Sequence, residues 1–166
     1  MNSSSLPQLR KIWKDLSAEE LHQLLDRLGR FSRDNKELLH YLLVFGNNED
    51  AYISAICHQL DEGFEGLNRQ NITWTRKGLR RLVRMLNRYV RYSGKTDTEI
   101  VLRTEFCNRM LVHGIPLEKS AVVGNMFNRE LDRISRALSK LHPDQQLDYD
   151  GWVQTLHKLE PVEINR

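Results

Sequence analysis

Two cysteines, four prolines and no apolar run of membrane-spanning length are what this sequence offers, and each scarcity removes a class of protein. Cys57 and Cys107 stand fifty positions apart with no Cys-x-x-Cys, so they do not make a zinc site, and a disulfide between them is possible but unneeded in a reducing compartment. Both sit in apolar helical patterns, which predicts two buried thiols. A membrane helix would need about 18 consecutive apolar residues, and no such run occurs. The start, Met1-Asn2-Ser3-Ser4-Ser5-Leu6-Pro7, lacks the apolar core of a secretory signal, and the expectation is a cytoplasmic protein with a disordered segment over 1–7. Strand signals are missing too, because no alternating apolar-polar segment of useful length appears.

Catalytic signatures are equally sparse. The six histidines, at 22, 40, 58, 113, 142 and 157, form no His-x-x-x-His or His-Glu-x-x-His pair, so no metal ligand is expected among them. Asp148-Tyr149-Asp150-Gly151 lacks the ligand spacing and terminal Glu of a calcium loop. No Gly-rich phosphate loop and no Gly-x-Ser-x-Gly nucleophile motif is present. These absences predict no catalytic residue, no cofactor site and no metal site. An enzyme with a dispersed site stays as the last of three alternatives, since Ser, His and Asp can converge in space without a local motif.

What the sequence does contain is helix signal. A chain of 166 residues suggests one domain, placed at 8–159 with a loose tail over 160–166. A first helix is expected over Gln8–Lys14. Ser17-Ala18-Glu19-Glu20 reads as a capping box, followed by Leu21, Leu24, Leu25 and Leu28 on one face. Asp34 is read as the cap of a third helix that stops at Gly46, and Glu49-Asp50 opens a fourth through Tyr52, Ile53, Ile56 and Leu60. The fifth is expected from about Trp74 to Tyr92, the sixth from Thr96 to Gly114, and the seventh over 117–141. A last helix carries Trp152, Val153, Leu156 and Leu159. The pattern predicts an all-α fold of seven to eight antiparallel amphipathic helices, closed as a bundle or stacked as a short α-α superhelix.

One stretch departs from this even pattern. Between Gly66 and Thr96 there is no acid, while nine bases occur. The chain carries 25 bases and 22 acids, so without this stretch it would hold 16 bases against 22 acids, a net of −6. On a helical wheel, Leu79, Leu82, Val83, Leu86 and Val90 share one face. Lys77, Arg80, Arg81, Arg84, Arg88, Arg91 and Lys95 occupy the other, with Tyr92 at the edge, where it could stack on a base or cover a neighbouring helix. Like charges four residues apart destabilise a helix by a few tenths of a kcal/mol each, so something should offset them. Two candidates exist. The chain's own acids, Asp61, Glu62 and Glu65 before the helix and Asp97, Glu99 and Glu105 after it, could lie alongside. Otherwise an external polyanion, whether nucleic acid, an anionic membrane surface or an acidic protein, could be the partner, because a guanidinium pairs equally well with phosphate or carboxylate.

Three stretches, 35–43 (NKELLHYLL), 89–99 (YVRYSGKTDTE) and 115–120 (IPLEKS), resemble a family of small uncharacterised bacterial helical proteins. The resemblance runs in the same order through most of the chain. It implies an all-helical domain and assigns no catalytic residue. The leading expectation is a non-enzymatic interaction module that docks an anionic partner on the basic helix over 74–93. The alternative is a structural or self-associating domain whose arginines are neutralised internally.

Overall fold

In a computed structural model that describes residues 4–157, the chain is helical throughout, and no strand occurs among the described residues. The helices are α1 (Leu6–Lys14), α2 (Ala18–Phe31), α3 (Arg33–His40), α4 (Glu49–Glu65), α5 (Ile72–Ser93), α6 (Thr96–Val112), α7 (Ala121–Leu138) and α8 (Pro143–His157). The apolar face assigned to the last helix, Trp152, Val153, Leu156 and Leu159, lies outside the residues whose side chains are described, as does the tail at 160–166. No described helix is long and apolar enough to cross a membrane.

The chain divides into two compact units, Met1–Phe45 and Gly46–Arg166, where length alone suggested one domain over 8–159. In the first unit, α1 starts at Leu6, inside the segment expected to be disordered. Pro7 suits a first helical turn, where its missing N–H costs nothing, and the Ser5 N–H donates to Gln8 Oε1 at 2.8 Å. The capping box that starts α2 is present: the Glu20 N–H donates to Ser17 Oγ at 3.2 Å and the Ser17 N–H to Glu20 Oε2 at 2.8 Å. The Ser17 hydroxyl, which donates to Glu20 Oε2 at 2.7 Å, and then the Ser17 N–H hold the Glu20 carboxyl below its ordinary range. The cap of α3 is Ser32 rather than Asp34. Its hydroxyl accepts from the Asn35 N–H at 3.1 Å, and Asp34 falls in the first turn, where its charge complements the helix dipole. α3 runs on as a π-helical turn, Tyr41–Phe45, before α4 is capped anew by Asn48. Tyr41 is the one buried side chain among the described residues of this unit.

The second unit is an up-and-down bundle, and its contacts give the register. Glu49 lies against Ser93, and the Tyr52 hydroxyl donates to the Tyr89 carbonyl at 3.0 Å, so α4 and α5 run antiparallel. Further along the same pair, a Cβ on Gly63 would run into Leu82, and one on Gly78 would run into Leu67. At both positions a larger residue would have to push aside the tip of that leucine side chain. Glu49 reaches Thr98 and Asp61 reaches Arg109, so α4 and α6 run parallel. α5 ends on Gly94 in the left-handed conformation (φ 64°), which turns the chain back into α6.

α6 is the centre of this unit: α4, α5, α7 and α8 all pack on it. Ile100, Leu102, Phe106, Cys107 and Met110 are fully buried, together with Thr98, Arg103 and Thr104. A helix buried on most of its circumference loses the one-sided pattern of a surface helix. Both cysteines are free thiols. Cys107 is buried and Cys57 half-buried, and burial pushes both thiols up from their ordinary range.

Candidate functional site

The fate of the acids decides the state of the α5 arginines, and five of the six that flank the helix, all but Glu65, face partners other than those arginines. Asp61 of α4 accepts from Arg109 of α6, at 2.6 Å from Nε and 3.1 Å from Nη2, and Glu105 accepts from the Arg109 Nη1. The bond from Arg109 holds the Asp61 carboxyl below its ordinary range. Burial would lower the Arg109 pKa, but the bonds to Asp61 and Glu105 outweigh it, so it is raised above its ordinary value. Glu99 accepts from Arg103 Nε at 2.8 Å. Asp97 accepts from the Tyr149 hydroxyl at 2.8 Å, and burial followed by this bond pushes that phenol up to about 12. Glu62 faces His58 at 3.4 Å.

A buried network ties three helices together. Arg103 (5% exposed) and Glu130 (2% exposed) form an ion pair between α6 and α7. Asn87 of α5 accepts from Arg103 Nη1 at 3.0 Å and from Arg133 Nη1 at 2.7 Å, and Arg133 also reaches Glu130 at 2.9 Å. Charges this deep stay only when each is paired and hydrogen-bonded, as these are. Nothing in the local sequence marks them, because Arg103 and Glu130 lie on different helices.

With those acids engaged, the basic face of α5 resolves into three parts. Lys77, Arg80, Arg81, Arg84 and Arg91 are exposed. No described carboxylate forms an ion pair with Lys77, Arg80, Arg81 or Arg84. Lys77 sits over the exposed Trp74 ring, 4.6 Å from its centroid. Arg88 is half-buried, with its guanidinium 5.5 Å from the Tyr89 ring centroid. Lys95 lies past the end of α5 as the N-cap of α6 and pairs with Glu49 at 2.7 Å. Tyr92 is a correction. Its ring is buried (6% exposed) and packs edge-on to Tyr89, so it covers a neighbour and presents no face for a base.

Arg80 and Arg84 belong to a groove that the sequence did not reveal. Together with Val83 they form its α5 wall. The opposite wall is α7, through Val122, Asn125, Met126 and Arg129. The cavity measures about 410 Å³ and is open on one side. Its floor is apolar (Val83, Val122 and Met126), and three guanidiniums and one amide rim it. The two walls run parallel, since residue numbers rise together along both and Asn87 meets Arg133 just beyond Arg84 and Arg129. That cross-helix bond, anchored on the buried Arg103–Glu130 pair, fixes the separation of the walls. Among the described residues, no group of three or more His, Cys, Asp or Glu side chains is placed to hold a metal ion. No protein-family model, no curated protein and no solved structure matches this chain.

Proposed function

We propose that this protein is a non-enzymatic interaction module that docks an anionic partner on the outer face of α5. The observation that carries this reading is the state of Arg80, Arg81 and Arg84. They are exposed and close together, and no described carboxylate pairs with them, although acids flank the helix on both sides. Like charges at this spacing disfavour the helix that bears them, and a polyanion would relieve that repulsion. The helical backbone of α5 supports the same reading, because arginines carried on a helix lose less backbone freedom on binding than those on a loop.

The test is fluorescence anisotropy with labelled poly-glutamate and labelled mixed-sequence RNA at low and moderate salt. Binding should weaken steeply as salt rises. It should disappear in the Arg80→Glu/Arg81→Glu/Arg84→Glu variant while helicity by circular dichroism is unchanged. Absence of binding to both polyanions would sink the reading.

A second reading, self-association, draws on the first unit. Leu6, Leu9, Ile12 and Trp13 of α1 are exposed, as are Leu24, Leu25, Leu28 and Phe31 of α2. A unit of this size with one buried side chain gains little from its own core, and large exposed apolar patches mark interfaces. Sedimentation over a range of protein concentrations tests this, and a single monomeric species throughout would exclude it.

A further inference from the structure

The α5–α7 groove adds to the charge of α5 a recognition element that charge alone does not need. A site that reads only phosphates or carboxylates wants cations and backbone amides, and an apolar floor contributes nothing to it. A site that reads single-stranded nucleic acid wants aromatic rings on which bases stack. This groove has no aromatic side chain. Its floor is Val83, Val122 and Met126, and a methionine on such a floor adapts to side chains of different shape.

Resting on the reading of α5 as an anion-docking face, we infer that the groove binds an acidic amphipathic peptide segment: one apolar row seated on the floor, with carboxylates on both flanks. The charge pattern supports this occupant. Arg80 and Arg84 stand on one wall and Arg129 with Asn125 on the other, so cations lie on both sides of an apolar strip. A ligand complementary to that section carries acids on both sides of its apolar residues.

Dimensions narrow the class. Val122 to Arg129 is eight residues of helix, a rise of about 10 Å, which matches two turns of a ligand helix. A volume of about 410 Å³ takes two or three aliphatic side chains rather than a long hydrophobic stripe. The fitting ligand is therefore a short helix with apolar anchors at i and i+4, or i, i+3 and i+7, in the helix-in-groove mode. The guanidiniums pair with its carboxylates in planar bidentate fashion, which lysines at the same places would not reproduce.

The experiment compares two labelled probes of equal length and charge on the full chain. One is a 14-residue peptide with leucines at every third or fourth position and glutamates on both flanks. The other replaces the leucines with serines. The leucine peptide should bind at least tenfold more tightly, because one buried leucine side chain corresponds to about ten- to a hundredfold in affinity. Met126→Glu should remove that preference, and Arg129→Glu should weaken the leucine peptide alone. The Arg129 variant is exposed and keeps the fold testable if the Met126 variant loses helicity. Equal binding of both peptides would overturn the peptide-reading groove and leave α5 as a general anion face. Tighter binding of RNA than of the leucine peptide would overturn it as well. Failure of every polyanion would overturn the anion-docking reading on which it rests.

Discussion

The arginines of α5 and those of α6 belong to one bundle and have opposite roles. Arg103 and Arg109 point into the molecule and each meets two carboxylates, Glu99 and Glu130 for the first, Asp61 and Glu105 for the second. Arg80, Arg81 and Arg84 point outward and form no ion pair with a described carboxylate. The difference shows that a cluster of like charges says little about where charge is needed for stability. The charges that bridge helices are the isolated ones, Arg103 where α5, α6 and α7 converge and Arg109 between α4 and α6. The clustered ones, Arg80, Arg81 and Arg84, stay exposed.

The sharpest way to break this comparison is to remove one member of the buried pair. Glu130→Ala leaves Arg103 charged, buried and short of its partner, and should lower unfolding stability by about 3–5 kcal/mol. Urea denaturation measures it, and a loss below about 1 kcal/mol, the worth of an exposed pair, would show that Arg103 gains no net stability from Glu130.

Arg109→Gln comes next. It removes the clamp between α4 and α6 and leaves Asp61 half-exposed, where water can replace the lost bonds. The expected loss is about 1–2 kcal/mol in the same denaturation experiment.

The same clamp gives a pH effect. The Asp61 carboxyl is held below its ordinary value of 3.8 by the bond from Arg109. A group whose folded pKa is depressed contributes stability that is complete well above its unfolded pKa. That contribution is lost as pH falls through the folded value. Thermal unfolding followed from about pH 6 down to pH 2 should therefore show a steeper acid-side loss in the wild type than in Asp61→Asn. Parallel curves for the two proteins would mean that the clamp is not maintained in solution.

The smallest effect on stability belongs to α5. Arg80→Gln/Arg81→Gln/Arg84→Gln should change stability by no more than about 0.5 kcal/mol, with the sign favouring the variant because like-charge repulsion is relieved. A large loss in this variant would mean that the α5 arginines are structural after all, and would erase the contrast with α6.

Local chemistry wrote much of the fold plainly into the chain. The Ser17 capping box, the glycine stop at Gly94 and the two-faced character of α5 involve residues within one or two turns of each other. Their pattern survives in a linear reading because helix geometry alone converts spacing into faces. Even the limits of α5 were readable to within two residues. The cap of α3 was less so: Ser32 and Asp34 are both good cap residues two positions apart, and backbone path rather than side-chain chemistry chooses between them.

The candidate site was only half legible for the same reason. Arg80 and Arg84 stand out in a stretch without acids, but Asn125 and Arg129 lie some 45 positions later in a mixed-charge helix with nothing local to mark them. By itself the sequence determined the helices, their apolar faces and the cationic surface of α5, because these depend on neighbours three or four residues apart. Tertiary structure alone decided that α6 is central, that Asp61, Glu99 and Glu105 serve Arg103 and Arg109, that Tyr92 is buried, and that α5 and α7 form a groove. Each of these depends on which helices lie side by side, and that follows from close packing across the whole bundle rather than from any local spacing.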